Sequence, residues 1–250
     1  MADSIIKKTQ LIPKDRLIIS IDVSSEQQLI SLCHKIDNKV TTLKLGLELI
    51  YSCGLKIIDT AKSFGYKVML DAKLMDIPNT VSQAISAIAA LGVDKVTIHT
   101  LGGARMIKDA KEKAVAEAAG LNVFPPLIFG VTILTSLDNK DLEAMGFKGD
   151  YLSAVLCLAG QAIDSGIDGI ICSPNEVSQL REDFGESFYI ATPGIRLEND
   201  AAGDQKRIST PYAAIKNGAD FIIAGRSVTD KENTGKTIKT ILEDIERALL

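Results

Sequence analysis

Residues 67 to 92 read KVMLDAKLMDIPNTVSQAISAIAALG, and the fold can be predicted outward from this stretch. The aliphatic run in Lys67–Asp71 predicts a buried strand, because its apolar residues follow one another without alternation. From Thr80 to Leu91 apolar residues recur at helical spacing, and Pro78 suits the first turn of a helix. Gly92 relieves the steric cost of the left-handed residue that closes a helix. One strand, one loop and one helix are therefore predicted, in that order.

The same alternation extends along the whole chain. The predicted strands are Leu17–Asp22, Thr42–Lys44, Lys67–Asp71, Lys95–His99, Leu127–Thr132, Gly169–Cys172, Tyr189–Ala191 and Phe221–Ala224. The predicted helices are Glu26–Lys35, Leu49–Phe64, Thr80–Leu91, Ala104–Ala118, Leu152–Ser165, Val177–Asp183, Pro211–Asn217 and Lys236–Leu249. Several helices are expected to end at a glycine, namely Gly65, Gly92, Gly120, Gly166 and Gly218. Strands that alternate with helices form a parallel sheet through right-handed crossovers. The pattern predicts an α/β fold, a single (β/α)8 TIM barrel over residues 1–250, with an open doubly wound sheet as the alternative.

Composition narrows the class of protein. The chain has 250 residues, 46% of them hydrophobic and 24% charged, as expected of a globular protein with a sizeable core. A net charge of −4 without a basic run argues against a duplex nucleic-acid partner. No apolar leader follows Met1, and the uncharged run Leu121–Leu137 is interrupted by prolines, so no membrane segment is predicted. The four cysteines show no metal-type spacing, which favours reduced thiols and a cytoplasmic location.

Polar residues fall where the predicted strands end. In a (β/α)8 barrel the active site lies at the carboxyl ends of the strands. The residues at or just after those ends are Asp22, Lys44, Asp71, Lys73, Thr132, Thr135, Arg196 and Arg226. Asp71 and Lys73 are two apart and would project to the same side of an extended strand. Such charges are costly to bury without a purpose, although a salt-bridge network that only closes the barrel top is the alternative.

Other polar residues near the strand ends and in the helices have an ordinary structural role as the alternative to a function. The loops after strands seven and eight are the usual phosphate site of this fold, so Gly225 and Arg226 are candidate phosphate ligands. An arginine after a strand can equally be an ordinary surface cation. His99 ends the fourth strand, and a packing or supporting role is favoured there over catalysis. His34 lies in a predicted helix and is expected to be solvated.

The segment Asp71–Thr80, DAKLMDIPNT, resembles the DxKxxDIPNT signature of the orotidine 5′-phosphate decarboxylases of bacterial type. The resemblance covers most of the chain. It continues in Ile21–Val23, Leu43–Gly46, Val131–Ser136, Thr192–Arg196, Asp204–Gln205 and Gly225–Ser227. Ile98–Gly103 departs from the family, which more often has small residues before these glycines; the departure puts only local packing in doubt.

The resemblance implies a role for each matching residue. Lys73 would protonate C6 of the pyrimidine, and Asp71 would lie beside the substrate carboxylate. Asp22 and Lys44 would hold the ribose hydroxyls and the charge network. The remaining implied contacts are Thr135 with the pyrimidine edge, Gln205 with base and phosphate, and Pro193, Arg196, Gly225 and Arg226 with the phosphate end. Asp76 and Thr80 would reach the neighbouring subunit's site, which implies a homodimer.

The implied reaction releases CO2 from orotidine 5′-phosphate and gives uridine 5′-phosphate, the last step of UMP biosynthesis, without metal or organic cofactor. An ammonium about 4 Å from a unit negative charge stabilises it by roughly 4 kcal/mol at an effective dielectric of 20. Very slow reactions need on the order of 20 kcal/mol, so Lys73 alone is insufficient. Binding energy from the phosphate could drive closure of a lid, predicted over Leu197–Gln205. Repulsion between Asp71 and the substrate carboxylate is a secondary contribution.

Two rival functions stay open at this point. Metal-dependent sugar-phosphate decarboxylases and aldolases of the same suprafamily share the DxKxxD element, although they lack the combined DIPNT, TPGIR and Gln205 pattern. A chelator such as EDTA separates the two readings. The second rival is a non-catalytic barrel that binds a phosphate ligand, which an assay with orotidine 5′-phosphate distinguishes.

Overall fold

The computed structural model describes residues 8–197 and 208–250, and within them eight parallel strands close into a barrel in chain order. The strands are β1 (Leu17–Ile21), β2 (Thr42–Leu45), β3 (Lys67–Leu74), β4 (Lys95–His99), β5 (Leu127–Val131), β6 (Gly169–Ile171), β7 (Tyr189–Thr192) and β8 (Phe221–Ala224). Strand β8 pairs with β1, where Leu17 lies opposite Ile222. This pairing closes the sheet, confirms the (β/α)8 barrel and excludes the open-sheet alternative.

Helices connect the strands around the outside of the barrel. They are α1 (Pro13–Arg16), α2 (Glu26–Ile36), α3 (Leu47–Cys53), α4 (Ile57–Ser63), α5 (Pro78–Ala90), α6 (Gly103–Leu121), α7 (Asn139–Ala144), α8 (Tyr151–Asp164), α9 (Val177–Phe184), α10 (Pro211–Lys216), α11 (Arg226–Thr229) and α12 (Thr234–Leu249). Their apolar faces pack on the outward residues of the strands in one large buried cluster. No helix in the described part of the chain is long and apolar enough to cross a membrane.

Two helix predictions were wrong. The predicted helix Leu49–Phe64 is two helices, α3 and α4, because Gly54 adopts φ 73° at the C-cap of α3 and breaks the helical path. Gly120 does not end its helix: α6 continues to Leu121, and Asn122 takes the left-handed conformation instead, with φ 54°. The other predicted boundaries differ from the observed ones by a few residues, the usual uncertainty at the ends of elements.

An apolar layer fills the middle of the barrel. Ile18, Met69, Phe129, Ala191 and Ile223 point inward from five strands and are buried together. The ring of Phe129 also packs against those of Tyr189 and Phe221, at centroid distances of 6.4 and 6.0 Å. Since strand residues alternate between faces, the next inward residues of each strand lie toward the carboxyl end. This layer therefore forms the floor of a site at that end and separates it from the amino-terminal end.

A Gly-x-Asp repeat precedes β4, β6 and β8 and stabilises the amino-terminal end of the barrel. This repeat was not predicted from the sequence. The three carboxylates each accept a hydrogen bond from the second residue of the preceding strand: Asp94 from Val68 N–H at 2.9 Å, Asp168 from Ile128 N–H at 2.8 Å, and Asp220 from Ile190 N–H at 2.8 Å. The glycines Gly92, Gly166 and Gly218 have positive φ, which lets the chain turn from helix to strand. The carboxylates satisfy buried backbone donors that the parallel ladder leaves open.

Asp220→Ala is expected to lower the free energy of unfolding by about 3 kcal/mol. Asp220 also accepts a hydrogen bond from Arg181 Nη2 at 2.6 Å, and the side chains of both residues are less than a tenth exposed. Its removal leaves a buried guanidinium and the N–H of Ile190 without their carboxylate. Urea unfolding measures the change. Glu186→Ala is the control, since Glu186 contacts the same arginine from an exposed position and should cost under about 1 kcal/mol. Equal losses in the two variants would contradict the role given to Asp220.

Candidate active site

A cavity of about 380 Å³ opens at the carboxyl ends of the strands. Its volume suits a small-molecule ligand. The predicted site residues that line it are Asp22, Lys44, Asp71, Lys73, Thr135, Pro193, Arg196, Gly225 and Arg226. The floor is apolar and includes Met69 and Ile223. The barrel thus gathers residues from sequence positions 22 to 226 around one space, as the strand-end argument predicted.

Asp71 is the centre of the charge network. Lys44 Nζ from β2 and Lys73 Nζ from the end of β3 each donate to Asp71 Oδ2 at 2.8 Å. The other carboxylate oxygen, Oδ1, accepts from Thr97 Oγ1 at 2.8 Å. Asp22 lies farther out, with its Oδ1 3.8 Å from Lys44 Nζ. Both oxygens of the buried carboxylate are therefore occupied by protein donors, and two ammonium groups are held at one side of the cavity.

The network keeps Asp71 and Lys44 charged despite their burial. Burial acts to raise the pKa of Asp71, but the attraction of Lys44 and Lys73 outweighs it and holds that pKa well below its usual range. Burial acts to lower the pKa of Lys44, and the carboxylates of Asp71 and Asp22 reverse this and raise it. At neutral pH the site therefore contains fixed positive charge in a partly desolvated space, where electrostatic interactions are stronger than in water.

Lys73 reaches Asp71 through an unusual backbone conformation. Its φ is 47°, in the left-handed region, and the pairing of β3 with β4 shifts register between Leu70 and Leu74. The prediction that Asp71 and Lys73 lie on the same side of an extended strand is therefore wrong in detail, although the two side chains do meet. For a residue other than glycine this conformation costs about 1–2 kcal/mol. The N–H of Lys73 donates to Thr97 Oγ1 at 3.0 Å, so Thr97 fixes both the backbone of Lys73 and the carboxylate of Asp71.

Two glycines leave room for the side chain of Asp22. Ser20 Oγ donates to Asp22 Oδ2 at 2.8 Å. A Cβ at Gly46 would lie 3.1 Å from Asp22 Oδ1, and a Cβ at Gly225 would lie 3.3 Å from Asp22 Oδ2. Both distances are tighter than ordinary van der Waals contact. The two glycines therefore let loops after β2 and β8 approach the carboxylate that projects from the end of β1.

The opposite side of the cavity carries arginines. Gly225 is the N-cap of the short helix α11, and Arg226 is its exposed first residue. Arg196 follows β7, and its backbone N–H donates to Ser209 O at 3.0 Å, which ties the loop after β7 to the segment before α10. Thr135 and Ser136, from the loop after β5, face the same space. The arginines on this side of the cavity can bind an anion. On the other side, the ammonium groups of Lys44 and Lys73 provide positive charge at a fixed position.

Three predicted site residues are not gathered here. Asp76 and Thr80 are exposed and do not line the cavity; the carboxylate of Asp76 accepts from the adjacent Ile77 N–H at 2.6 Å. They flank the start of α5, which begins at Pro78, two residues before the predicted start at Thr80. Gln205 lies outside the described residues, as does the predicted lid from position 198 to 205.

Sequence reasoning missed two residues that support the network, Ser20 and Thr97. A signal for both exists, because each is two residues before a polar strand-end residue, Asp22 and His99 respectively, and so shares its inward face. His99 is partly buried, and its Nδ1 has no hydrogen-bond partner among the described residues. Burial, followed by the nearby charge of Lys73, lowers the pKa of His99. Its predicted supporting role stays a prediction.

The chain is similar to known proteins over nearly its whole length. The model of the orotidine 5′-phosphate decarboxylase / HUMPS family matches residues 15–241. An orotidine 5′-phosphate decarboxylase of Carboxydothermus hydrogenoformans is 39% identical over 238 residues, which cover 94% of this chain and 98% of that one. The enzyme of that name from Halorhodospira halophila is 41% identical over 93% of this chain and 97% of its own.

Solved structures agree with these sequence relatives. The crystal structure of orotidine 5′-phosphate decarboxylase from Lactobacillus acidophilus superimposes with a TM-score of 0.82, at 35% identity, over 92% of this chain and 99% of that chain. The barrel, the lysine–aspartate network at its mouth and these matches lead to one conclusion. The chain belongs to the orotidine 5′-phosphate decarboxylase / HUMPS family.

Proposed function

We propose that this protein converts orotidine 5′-phosphate to uridine 5′-phosphate and CO2. The observation that carries the proposal is the Lys44–Asp71–Lys73 network, which holds two ammonium groups beside a cavity whose other side presents Arg196 and Arg226. A nucleotide with an anionic phosphate at one end and an anionic carboxylate at the other matches this distribution of charge. The relatives described above carry the name of this activity.

The proposed pose follows from the position of the charges. The phosphate lies against Arg196, Gly225 and Arg226, and the ribose hydroxyls lie near Asp22 and Lys44. Thr135 contacts the pyrimidine edge, and C6 with its carboxylate faces Asp71 and Lys73. Pro193 lines the phosphate end, and Gln205 is assigned to base and phosphate by the family resemblance alone.

The proposed chemistry needs no group beyond these side chains. The bond between C6 and the carboxylate carbon breaks, CO2 leaves, and the electron pair stays on C6. The ammonium of Lys73 stabilises this pair and then donates a proton to it, and the resulting amine regains a proton from solvent. Preorganised charge of this kind lowers a barrier without reorganisation during the reaction. Asp71 holds both lysines in place, and the left-handed backbone of Lys73 aims its side chain at the cavity.

The proposal includes a homodimer in which Asp76 and Thr80 complete the neighbouring site. Asp76 lies between two exposed apolar side chains, Met75 at 55% and Ile77 at 67% exposure. Large apolar side chains grouped on a surface mark interaction sites. Sedimentation of wild-type protein and an Ile77→Asp variant tests this part: the variant should be monomeric and should lose activity. A fully active monomer would overturn it. The proposed location is the cytoplasm, in keeping with four cysteines that are all free thiols.

An absorbance assay with orotidine 5′-phosphate tests the function directly. The absorbance change on conversion to uridine 5′-phosphate should appear with enzyme alone. Incubation with EDTA should leave the rate unchanged. Both oxygens of Asp71 already accept hydrogen bonds from ammonium or hydroxyl groups, so this carboxylate is not free to coordinate a metal ion. Loss of activity with EDTA and recovery with a divalent metal would support the metal-dependent alternative. No turnover of this nucleotide by the intact protein would refute the proposal.

Arg226→Ala is expected to raise KM for orotidine 5′-phosphate by about 100-fold, since a charge-assisted pair with phosphate contributes about 1.5–3 kcal/mol. The change should be smaller for kcat than for KM, because the arginine is remote from C6. Arg247→Ala is the control: Arg247 is an exposed arginine on α12 outside the cavity, and its removal should leave KM unchanged. Steady-state kinetics checks both variants. A KM unaltered in Arg226→Ala would contradict the phosphate assignment.

A further inference from the structure

A second cavity lies at the opposite, amino-terminal end of the barrel. Its volume is about 310 Å³, and the apolar layer of Met69 and Phe129 separates it from the candidate active site. Its apolar wall includes Leu11, Phe124, Leu127, Tyr189 and Phe221. Nothing in the proposed decarboxylation uses this space.

A buried ammonium faces this cavity. Lys95, the first residue of β4, is 7% exposed, and its Nζ lies 5.2 Å from the centre of the Phe221 ring. The one hydrogen bond that its Nζ makes with the described residues is long, 3.5 Å to Thr42 Oγ1. Within residues 8–197 and 208–250 its Nζ has no ion pair. Buried charges are normally paired, so an ammonium held this way has room for an anionic partner.

Asp94 and Asp15 attract the ammonium of Lys95, but among the described residues neither forms an ion pair with it. Asp94 uses its carboxylate on Val68 N–H, and Asp15 accepts from Thr41 Oγ1 at 2.5 Å. Lys62 Nζ donates to Leu91 O and Gly92 O. Lys67, the first residue of β3, also lines the cavity, and its positive charge opposes that of Lys95. An anion between these two lysines would relieve their repulsion.

From this arrangement we infer that the amino-terminal cavity is a binding site for a small organic carboxylate with an apolar or aromatic body. The carboxylate pairs with Lys95 and accepts from Thr42, and the body lies against Phe124, Tyr189 and Phe221. One buried ammonium and one hydroxyl match the two oxygens of a monoanion. A dianionic phosphate would need more donors than these two buried groups provide.

The probe for this site is 3-phenylpropanoate, with 3-phenylpropan-1-ol as its neutral analogue of the same shape. Calorimetric titration of the wild-type protein should give a dissociation constant of about millimolar for the acid and binding at least tenfold weaker for the alcohol. Equal binding of acid and alcohol, or no binding of the acid, would overturn the inference. This comparison uses the unaltered protein and so does not depend on the folding of any variant.

A lysine variant locates the binding. Lys95→Met replaces the ammonium by an apolar side chain of similar length and should weaken binding of the acid at least tenfold, while decarboxylation is retained. Lys14→Met is the matched control, because Lys14 is exposed on α1 at the same end of the barrel and does not line the cavity. Unchanged affinity in Lys95→Met would refute the site. Retained decarboxylation separates failure of this inference from failure of the proposed function.

The pH dependence provides an independent check. Burial, and then the charge of Lys67, lowers the pKa of Lys95 to about 8, while Asp94 and Asp15 oppose that shift. Binding of the acid needs the ammonium form, so its affinity should fall more than about tenfold between pH 7 and pH 9.5. In Lys95→Met the remaining affinity should show no such fall. A pH-independent affinity in the wild-type protein would contradict pairing with Lys95.

Discussion

Lys73→Ala is expected to lower kcat by about 10⁵. An ammonium near a developing negative charge contributes roughly 4 kcal/mol at an effective dielectric of 20, which corresponds to about a thousandfold in rate. Loss of a positioned proton donor removes on the order of a further hundredfold or more. The two losses share one side chain and need not be independent. Single-turnover absorbance measurements at high enzyme concentration can follow the residual reaction.

The control for Lys73→Ala is binding of the product. Uridine 5′-phosphate carries the phosphate and ribose but no C6 carboxylate, so its affinity should change by less than about tenfold in the variant. Lys148→Ala, an exposed lysine after α7 and outside the cavity, should retain full activity. Near-normal turnover in Lys73→Ala would refute the assignment of the proton donor and, with it, the electrostatic mechanism.

The barrel and the rim of its site could be predicted because they follow from periodicity. Continuous apolar runs such as residues 68–70 and Phe221–Ala224 mark buried parallel strands, and polar residues directly after them must meet at one end. Asp71, Lys44 and Arg226 were found in this way. Their mutual distances were not predictable, since they depend on how neighbouring strands are staggered in the closed barrel.

Features that depend on a single dihedral angle, or on contacts between strands far apart in the chain, could not be predicted from the sequence. Lys73 takes φ 47°, although periodicity favours extended backbone there. Alternation along β4 can place Thr97 on the inward face, but its hydrogen bonds to Asp71 and Lys73 depend on the pairing of β4 with β3. The break at Gly54 was hidden because apolar residues continue at helical spacing on both sides of it. In each case tertiary contacts decide between conformations that local sequence leaves nearly equal.

The cavity around Lys95 illustrates the same limit. A lysine at the start of a strand is normally read as a solvated flank, and only the closed barrel shows that it points inward beneath Phe221. The burial of Lys95 can therefore be seen only in the tertiary structure. The Gly-x-Asp repeat is different, since Gly92–Asp94, Gly166–Asp168 and Gly218–Asp220 are visible in the sequence and could have been found by comparing the units with one another.

Asp71→Asn is expected to lower kcat by about 10³ while the protein stays folded. The amide keeps the shape of the side chain but removes the charge that both lysines share, so the two ammonium groups repel each other and lose their fixed position. In this variant only Asp22 would counter the effect of burial on the pKa of Lys44. That pKa, which is raised in the wild-type protein, should therefore fall. The NMR signal of the Lys44 side chain measures that titration. A stability loss of about 3 kcal/mol should accompany the change at pH 7.

The sign of the pH dependence follows from the pKa of Asp71. Because Lys44 and Lys73 overcome burial and hold this pKa below its unfolded value, its stabilising contribution is fully present above about pH 4. The contribution is lost as the pH falls through the lower folded-state pKa. The difference in unfolding free energy between wild type and Asp71→Asn should therefore be constant from about pH 5 to 7 and shrink in more acidic solution. A difference that grows toward acid would contradict a salt-bridged carboxylate.

The split between KM and kcat in Asp71→Asn decides how the aspartate acts. If its main effect were repulsion of the substrate carboxylate, the amide would bind substrate more tightly, and KM would fall together with kcat. If Asp71 mainly positions Lys73, kcat falls and KM stays constant or rises. The geometry favours positioning, because Oδ2 is shared by two ammonium groups at 2.8 Å and Oδ1 is held by Thr97. Because two ammonium groups offset the negative charge of this ionised carboxylate, the group as a whole repels the substrate carboxylate only weakly. A KM lowered tenfold or more would show that repulsion, not positioning, is its larger contribution.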